Sequence, residues 1–311
     1  MVFDTTLISP ACATDLLRRF TGSQLTVTGM ARLHGGMVNS VLELTTDGAP
    51  ERVVAKLSGK VGNAGFEDEF QALQWYSRHT SFPVPEPFGV DTSGELFPGS
   101  CLMMERLPGE NLGQAALTTR EAADIEHRMA RSLADLHGVQ RPTYGFGYRP
   151  EAEGHARWLD WFGAKIRTEY DAAADRLSAT ARDIIEREMA RPDAWLPECS
   201  EPTLVHGDVW ATNVIVDPLA PGGPALSGFV DGRCQFAEVE YELAYLLVFR
   251  TVGQPFFDEY MKHRPIRDGF ELRCRVYWLQ TMLLHVRAFG DAHYIRASEG
   301  LARELDRLGP P

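Results

Sequence analysis

The sequence predicts an α+β protein with two lobes, a β-rich amino-terminal lobe and a larger, mostly helical carboxy-terminal lobe. Between Leu25 and Leu57, three segments rich in valine, leucine and threonine are separated by turn residues such as Asp47-Gly48, a pattern typical of antiparallel strands. Beyond Glu121, apolar residues recur instead at helical spacing over long segments. The 311 residues suffice for two lobes, because single domains commonly contain about 100 to 200 residues.

The amino-terminal lobe is expected to contain a five-stranded antiparallel sheet with its helices. A short amphipathic helix over residues 11–21 precedes the first three strands, and a helix over residues 66–79 follows the third. Two further apolar stretches, one near Leu96 and one over Cys101–Glu105, complete the predicted sheet. The turn residues Leu107-Pro108-Gly109 come next, so we place the lobe boundary there.

The predicted lobes are therefore residues 1–105, which would bind a nucleotide, and residues 106–311, which would carry catalysis and acceptor binding. Helical periodicity dominates the second lobe. Its predicted helices cover residues 121–137, 154–177, 179–190 and most of 240–308, and its strand-like pieces cover 203–205, 214–216 and 227–230.

Composition and charge exclude several classes of protein. The formal net charge of −12 argues against binding to a nucleic-acid backbone, which depends on clustered lysine and arginine. An acidic surface leaves cationic substrates open, although it also serves solubility alone. No segment approaches the ~20 apolar residues of a membrane span, and the amino terminus lacks the pattern of a secretory signal. We expect a cytoplasmic protein that binds neither nucleic acid nor membrane.

Cysteine spacing gives no sign of a metal site. None of the five cysteines forms a CxxC pair or a ligand spacing with histidine, so we expect reduced thiols. The five are Cys12, Cys101, Cys199, Cys234 and Cys274.

The strongest chemical signal is the segment VHGDVWATN, which covers residues 205–213 between two strand-like pieces. Asp208 and Asn213 are five positions apart, as in the catalytic loop of kinases. In such a loop the aspartate accepts the proton of the substrate hydroxyl, or orients that hydroxyl, and the asparagine oxygen helps to hold Mg²⁺ on the phosphates. His206 is better placed to brace the loop by hydrogen bonding than to exchange protons.

A second acidic residue, Asp231, follows the apolar segment Gly228-Phe229-Val230 and precedes Gly232. A carboxylate in this place can hold Mg²⁺ between the β- and γ-phosphates and neutralise charge during transfer. Gly232 would let the backbone turn tightly beside the ion. We therefore expect Asn213 and Asp231 to be the metal ligands.

Lys56 ends the apolar strand VVAK, and the next predicted helix offers Glu69 thirteen residues later. This order is typical of a lysine that contacts the α- and β-phosphates of ATP and of a glutamate that fixes its side chain. Glu67 and Asp68 are neighbouring alternatives, and Glu69 is preferred.

Two adjacent glycines, Gly35 and Gly36, lie between the first two strands, just before the strand of Lys56. Their backbone N–H groups could approach phosphates. Two glycines in a hairpin are also typical of a simple turn, and the segment matches neither GxGxxG nor the P-loop.

Each of these residues has a purely structural alternative, such as a cap or a turn. The elements nevertheless follow one another in kinase order, with suitable secondary structure around each. Two other groups of residues are notable. Three aromatic residues of one helix are typical of core packing. Three acidic residues could line a polar pocket or begin a solvated helix, and the sequence does not decide between these alternatives. The aromatic residues are Trp158, Trp161 and Phe162, and the acidic residues are Glu238, Glu240 and Glu242.

The segment HGDVWATN at residues 206–213 resembles the HGDxWxxN motif of the fructosamine/ketosamine kinases, which belong to the aminoglycoside-phosphotransferase-like superfamily. The similarity covers nearly the whole chain. It extends to Gly35-Gly36 with Asn39, to Glu69, to Gly145-Phe146-Gly147, to Trp158 with Trp161-Phe162, and to residues of the last helices such as Pro265, Tyr277 and His285.

This resemblance implies a bilobal protein-kinase-like fold, with ATP at a hinge formed by residues such as Met104, Glu105 and Leu107. It also implies Asp208 as the catalytic base and Asn213 and Asp231 as Mg²⁺ ligands. The expected reaction is transfer of the γ-phosphoryl group of ATP to a hydroxyl of a sugar-like acceptor, foremost a fructosamine or ketosamine.

Departures from that family leave the acceptor open. Asp231 is followed by Gly232-Arg233 where the family usually has proline, and Glu242-Leu243-Ala244 replaces Asp-Leu-Ala. The glycine loop also lacks the cysteine of some members. Phosphorylation of an aminoglycoside or another antibiotic is the enzymatic alternative, and a non-catalytic nucleotide-binding pseudokinase is the alternative of another class. The oligomeric state is not encoded legibly.

Overall fold

The computed structural model describes residues 8–33, 40–198 and 201–310, which form an α+β fold, as predicted. The described residues contain nine α-helices and eleven strands, besides short 3₁₀ turns. The helices are α1 (Pro10–Thr21), α2 (Ala64–His79), α3 (Thr119–Leu136), α4 (Trp158–Ala173), α5 (Ala179–Met189), α6 (Val239–Val248), α7 (Gln254–His263), α8 (Phe270–Phe289) and α9 (Ala292–Leu308). The strands are β1 (Val27–Leu33), β2 (Ser40–Thr46), β3 (Arg52–Ser58), β4 (Pro87–Asp91), β5 (Ser100–Glu105), β6 (Glu110–Asn111), β7 (Gly145–Phe146), β8 (Thr203–Val205), β9 (Val214–Asp217), β10 (Ala225–Phe229) and β11 (Gln235–Ala237).

Two compact units divide the chain. The first comprises the described residues up to Ile125 together with Ala211–Arg233, and the second comprises those of Glu126–Trp210 and from Cys234 onward. The predicted lobe boundary after residue 105 lies inside the first unit. The assignment of functions to the two predicted lobes stays a prediction.

The first unit contains a five-stranded antiparallel sheet, as predicted, in the order β1-β2-β3-β5-β4. Side chains alternate between the faces of a strand, so Val53, Ala55 and Leu57 of β3 share one face. They are fully buried in the core cluster that includes α1. Val54 and Lys56 occupy the opposite face, and this alternation turns the lysine away from the α1 core.

The predicted amino-terminal helix is confirmed as α1, and its ends follow from the sequence. The hydroxyl of Ser9 accepts a hydrogen bond from the backbone N–H of Cys12 at 3.1 Å, and Pro10 begins the helix. Gly22 ends it with a φ of 66°, a left-handed conformation that costs glycine little.

The fourth strand of the sheet differs from the prediction. The strand is Pro87–Asp91, whereas the residues near Leu96 form turns and bends. The Asp91 carboxylate accepts hydrogen bonds from the N–H and the hydroxyl of Ser93, at 2.9 and 2.7 Å, which ends the strand before Leu96. Pro87 is tolerated because it is the first residue of an edge strand.

A small sheet in the order β10-β9-β6 completes the first unit. Phe229 of β10 stacks on Phe82 with ring centroids 4.7 Å apart, and its N–H donates to the Pro83 carbonyl at 2.8 Å. Gly109 has a φ of 94°, and a Cβ there would lie 1.9 Å from the carbonyl oxygen of Val216, so only glycine fits. These contacts tie the chain after β10 to the rest of the unit.

The core of the second unit is centred on Trp158, which is fully buried. Its ring stacks on Phe162 at 5.2 Å between centroids and lies 5.8 Å from Tyr241 and 6.3 Å from Tyr277. The core packing predicted for these α4 aromatics is confirmed. A three-stranded sheet, β7-β11-β8, lies in the same unit. Among the described residues, no helix is both long and apolar enough to cross a membrane.

Candidate active site

Lys56 lies between two carboxylates. Its Nζ donates to Oε1 of Glu69 on α2 at 2.6 Å and to Oδ1 of Asp231, which follows β10. Glu69 is thus the partner of the lysine, as preferred from the sequence, and Glu67 instead accepts a hydrogen bond from the hydroxyl of Thr92 at 2.6 Å. Strand β3, helix α2 and the turn after β10 bring three of the predicted site residues together.

Burial and charge determine the ionisation of this group. Burial opposes the charged form of Lys56, but Asp231 and Glu69 outweigh it and raise the pKa of the lysine above its ordinary value. Burial raises the pKa of Glu69 to about 7, while Lys56 lowers it and Asp231 raises it further. Two carboxyl groups thus flank one ammonium, and their oxygens are ligands of the type that a hard cation takes.

A cavity in the first unit opens onto Lys56 and Asp231. The three residues predicted at the hinge, Met104, Glu105 and Leu107, line it as well. The other lining residues are Leu33, Val41, Val54, Pro85, Arg106, Glu110, Asn111, Gln114, Thr212, Asn213, Ile215 and Val230. The cavity thus combines apolar side chains of the sheet with the charged group of Lys56.

Asn213 is nearly buried, with 5% of its surface exposed, and its carbonyl accepts a hydrogen bond from the N–H of Val230 at 2.9 Å. This bond connects the end of the 205–213 loop to the residue before Asp231. Asp231 has a φ of 61° and a side chain that is 42% exposed. The left-handed turn directs the chain sharply at this point, and aspartate tolerates it better than most residues.

Arg106, which sequence reasoning did not single out, fixes the segment after β5. Its guanidinium donates to Glu43 of β2 at 2.8 Å, to the carbonyl of Gly109 at 2.8 Å and to the carbonyl of Leu107. The planar fork of arginine suits three such contacts. An isolated arginine after a strand carries no sequence pattern that predicts this geometry.

The predicted glycine loop, with Gly35, Gly36 and Asn39, lies outside the described residues. Its contact with phosphate stays a prediction. The flanking strands β1 and β2 pair antiparallel up to Leu33 and Val41.

Asp208 lies in the second unit, in the loop that follows β8. The preceding Gly207 has a φ of 84°, and His206 is fully buried with its Nδ1 3.3 Å from the backbone nitrogen of Asp208, which donates to it. The predicted bracing contact of His206 is therefore present. Asp208 itself is half-buried.

Glu242 of α6 anchors this loop through its backbone. Its carboxylate accepts the N–H of Gly207 at 2.7 Å and that of His206 at 3.2 Å, and it bonds to Nε2 of His137 at 2.7 Å. Nδ1 of His137 lies 2.7 Å from the hydroxyl of Tyr260. Burial opposes ionisation of Glu242, yet the hydrogen bonds and charges of His137, His206 and Gly207 lower its pKa below the ordinary value.

Replacing Glu242 by Gln should lower the free energy of unfolding by about 3 kcal/mol at pH 7, because a buried carboxylate that binds several donors is lost. The folded-state pKa lies below the unfolded value, so this stabilisation is present above pH 4.5 and is lost as the pH falls through the folded value. Urea unfolding of both proteins at pH 7 and below pH 4.5 measures it.

Glu186→Gln is the control, since Glu186 pairs with Arg167 on the surface with half of its side chain exposed. We expect that variant to differ little from wild type at either pH. A Glu242→Gln variant as stable as wild type at pH 7 would contradict the anchoring role.

A half-buried aromatic group lies beside Asp208, and Tyr245 of α6 belongs to it. The Tyr245 hydroxyl donates to Oδ1 of Asp208, and its ring meets Phe249 edge to face at 4.9 Å. Phe249 also lies 6.2 Å from Trp210 and 5.3 Å from His285, between centroids. Sequence reasoning missed this group, although Tyr245 lies three positions after Glu242 and so on the same side of the helix.

The three acidic residues left open by the sequence are all buried, so the solvated-helix alternative is wrong. Glu238 and Glu240 are 2% and 1% exposed, and they line a second cavity of about 410 Å³ in the second unit. Arg273 binds Glu240 through two nitrogens, and Arg267 contacts both carboxylates. The charges of this cavity therefore compensate one another.

No group of three or more His, Cys, Asp or Glu side chains that could hold a metal ion occurs in the described part of the chain. Four cysteines lie in that part as free thiols, and Cys199 lies outside it. A metal ion held by the two candidates Asn213 and Asp231 would therefore need further ligands, such as phosphate oxygens or water.

Comparison with known proteins identifies the family. The model of the phosphotransferase enzyme family matches residues 29–275, well over half of the chain. The chain is also similar to "Protein-ribulosamine 3-kinase, chloroplastic" of Oryza sativa subsp. indica, with 25% identity over 290 residues that cover 88% of this chain and 77% of the rice protein.

Two solved structures share the fold. A "putative fructosamine-3-kinase" from Thermobifida fusca superimposes with a TM-score of 0.74 at 22% identity, covering 94% of this chain and 98% of the other. A thermostable mutant of aminoglycoside phosphotransferase APH(4)-Ia, in ternary complex with ADP and hygromycin B, gives 0.66 at 18% identity, covering 96% and 99%. These superpositions confirm the predicted kinase-like α+β architecture. The chain belongs to the phosphotransferase enzyme family and is an enzyme that transfers a phosphoryl group to a hydroxyl.

Proposed function

We propose that the protein is an ATP- and Mg²⁺-dependent kinase that phosphorylates a hydroxyl of a sugar-like acceptor bearing an amine, foremost a ketosamine. The observation that carries the proposal is the group of Lys56, Glu69 and Asp231. Lys56 and Asp231 of this group line one cavity together with Asn213. The rice relative is named as a ribulosamine kinase, and the APH(4)-Ia structure contains ADP, both in keeping with this reaction.

The cavity of the first unit fits a nucleotide. Apolar side chains such as Val54 and Met104 suit the faces of a base, and Arg106 and Leu107, which follow β5, line the same cavity. Lys56 supplies a cation for phosphate oxygens, and Glu69 holds that cation in place. Asn39, Gly35 and Gly36 would complete the phosphate contacts.

The donor set near Lys56 fits Mg²⁺. The ion prefers oxygen ligands and is commonly held by one or two protein groups together with substrate phosphates, which agrees with Asn213 and Asp231 as its ligands. The carboxyl oxygens beside Lys56 are ligands of the same type. When bound, Mg²⁺ neutralises the charge of the phosphates during transfer.

Asp208 acts on the acceptor. Its carboxylate accepts a hydrogen bond from the acceptor hydroxyl, orients it and takes its proton as the oxygen bonds to the γ-phosphorus. The bond from that phosphorus to the β–γ bridging oxygen breaks, and ADP leaves. His206 and Glu242 keep the loop backbone fixed, so that the carboxylate is pre-organised before the acceptor arrives. The first unit holds the nucleotide through Lys56, Asn213 and Asp231.

The aromatic group beside Asp208 favours an amine-bearing sugar over a polycationic antibiotic. Faces of Trp210, Tyr245 and Phe249 offer a surface for apolar faces of a ring and attract one cationic amine. A wide acidic surface would instead suit several ammonium groups. In the second unit, Glu242 beside this loop is buried and bonded, and so it is not such a surface.

The pseudokinase alternative is disfavoured, because Lys56, Asp208, Asn213 and Asp231 are all present in the chain. The test of the proposed function is formation of ADP and of a phosphorylated product, followed by mass spectrometry, across fructosamines, ribulosamines, aminosugars and aminoglycosides. We expect turnover with a ketosamine. Phosphorylation of aminoglycosides alone would show that the proposed acceptor class is wrong. ATP binding with no phosphorylated product from any acceptor would contradict the proposed kinase function.

A further inference from the structure

The hydroxyl of Tyr245 donates a hydrogen bond to the Asp208 carboxylate, as an acceptor hydroxyl would have to do. It donates to Oδ1 of Asp208, and an acceptor hydroxyl activated by this aspartate would donate to the same carboxylate. Both residues belong to the second unit, and both are half-buried. The phenol therefore competes with the acceptor hydroxyl and with water for the carboxylate of Asp208.

The position of this phenol is well determined by its surroundings. Tyr245 lies on the helix whose Glu242, three positions earlier, holds the N–H groups of His206 and Gly207. Its ring packs edge to face on Phe249 at 4.9 Å between centroids. One helix thus fixes the backbone on the amino-terminal side of Asp208 and also supplies the hydroxyl that contacts its side chain.

We propose that Tyr245 is a positioning residue that couples ATP cleavage to the acceptor. Its hydroxyl keeps water from Asp208 until an acceptor hydroxyl displaces it. This inference rests on the proposed function, since it assumes that Asp208 activates the attacking hydroxyl. A phenol is a suitable occupant, because it donates to the carboxylate and its rigid ring has few rotatable bonds to order.

The reaction that Tyr245 suppresses is transfer to water. A water molecule donates to Asp208, its oxygen bonds to the γ-phosphorus, and the bond from that phosphorus to the β–γ bridging oxygen breaks. Asp208 takes the proton of the water and releases it to solvent, and the products are ADP and inorganic phosphate. No oxidant or further co-reactant is needed.

Tyr245→Phe tests the inference without knowledge of the acceptor. It keeps the ring and its packing but removes the hydroxyl, so ATP hydrolysis without acceptor should rise by about tenfold, in keeping with the loss of a hydrogen bond to a charged group. With acceptor present, the ratio of ADP formed to product phosphorylated should also rise. That ratio does not depend on the fraction of protein that is folded.

Two variants serve as controls. Tyr241 lies on the same helix, but its hydroxyl donates to Gln280 at 3.0 Å rather than to Asp208. Tyr241→Phe should therefore leave hydrolysis unchanged. Adding Asp208→Asn to Tyr245→Phe should abolish the extra hydrolysis, which locates its origin at the aspartate.

The outcomes separate this inference from the proposed function. Increased hydrolysis that requires Asp208, even with no acceptor phosphorylated, would support the role of Tyr245 and remove only the assigned acceptor. Unchanged or lower hydrolysis in Tyr245→Phe, with acceptor phosphorylation intact, would overturn the role of Tyr245 alone. Phosphate found on Tyr245 itself would also overturn it, because the phenol would then be an acceptor. Absence of ATP binding in all variants would remove both.

Discussion

The Asp208→Asn variant should lose about two to four orders of magnitude in kcat, while its affinity for ATP stays close to that of wild type. The amide has nearly the shape of the carboxylate but cannot take the proton of the acceptor hydroxyl. The predicted nucleotide ligands Lys56, Asn213 and Asp231 belong to the first unit, whereas Asp208 belongs to the second. The substitution therefore acts on chemistry more than on nucleotide binding.

Steady-state turnover at saturating acceptor, with ATP affinity from calorimetry, measures the two effects separately. Asp217→Asn is the control, because Asp217 is the last residue of the short strand β9 and accepts the N–H of Leu219 at 3.0 Å. It is not among the described residues that line the cavity of the first unit. That variant should keep full activity. A kcat for Asp208→Asn within about threefold of wild type would remove Asp208 from its role as proton acceptor.

The Asp231→Asn variant should lower turnover by at least about a hundredfold and make nucleotide binding less dependent on Mg²⁺. In wild type, one ammonium is shared by the carboxyl groups of Asp231 and Glu69. The amide removes the carboxylate of residue 231, which is one anionic ligand for the ion. Lys56 would retain Glu69 as its partner, so the cavity itself should persist.

Binding of ADP, titrated with and without Mg²⁺, measures this effect independently of turnover. Wild type should bind ADP more tightly with the ion, and Asp231→Asn should show a smaller difference, with the Asp217→Asn protein as control again. An unchanged Mg²⁺ dependence in Asp231→Asn would show that the ion is held elsewhere.

The elements that were predicted well from the sequence are those determined by a pattern within one segment or between two neighbouring segments. Lys56 and Glu69 could be paired because a strand followed by a helix gives them a fixed order, and the contact is confirmed at 2.6 Å. The helix over residues 11–21 was predictable from its apolar spacing. The glycine loop and the catalytic roles stay predictions.

Other features depend on contacts distant in sequence. Strands β6, β7 and β11 are two or three residues long, too short for any periodicity, and they exist only because partner strands pair with them. The fourth strand was expected at the apolar stretch near Leu96, but the side chain of Asp91 ends the strand before that stretch. The burial of Glu240 could not be predicted from the sequence around it, because it depends on Arg273, which lies on another helix.

Tyr245 shows the same limit at the site. A tyrosine three positions after Glu242 on an apolar helix is typical of core packing, and nothing in the local pattern distinguishes a hydroxyl that meets Asp208. Only the fold brings residues 37 positions apart together.

The discontinuity of the first unit has a consequence for how such genes can recombine. Ala211–Arg233 brings β9 and β10 to a unit that otherwise ends at Ile125. After a single crossover at Ile125, Lys56 and β6 would come from one parent, whereas Asp231 and β9, their partners, would come from the other. Exchange of intact units between homologous genes therefore requires three joints in the coding sequence, a constraint that favours inheritance of the whole chain as one block.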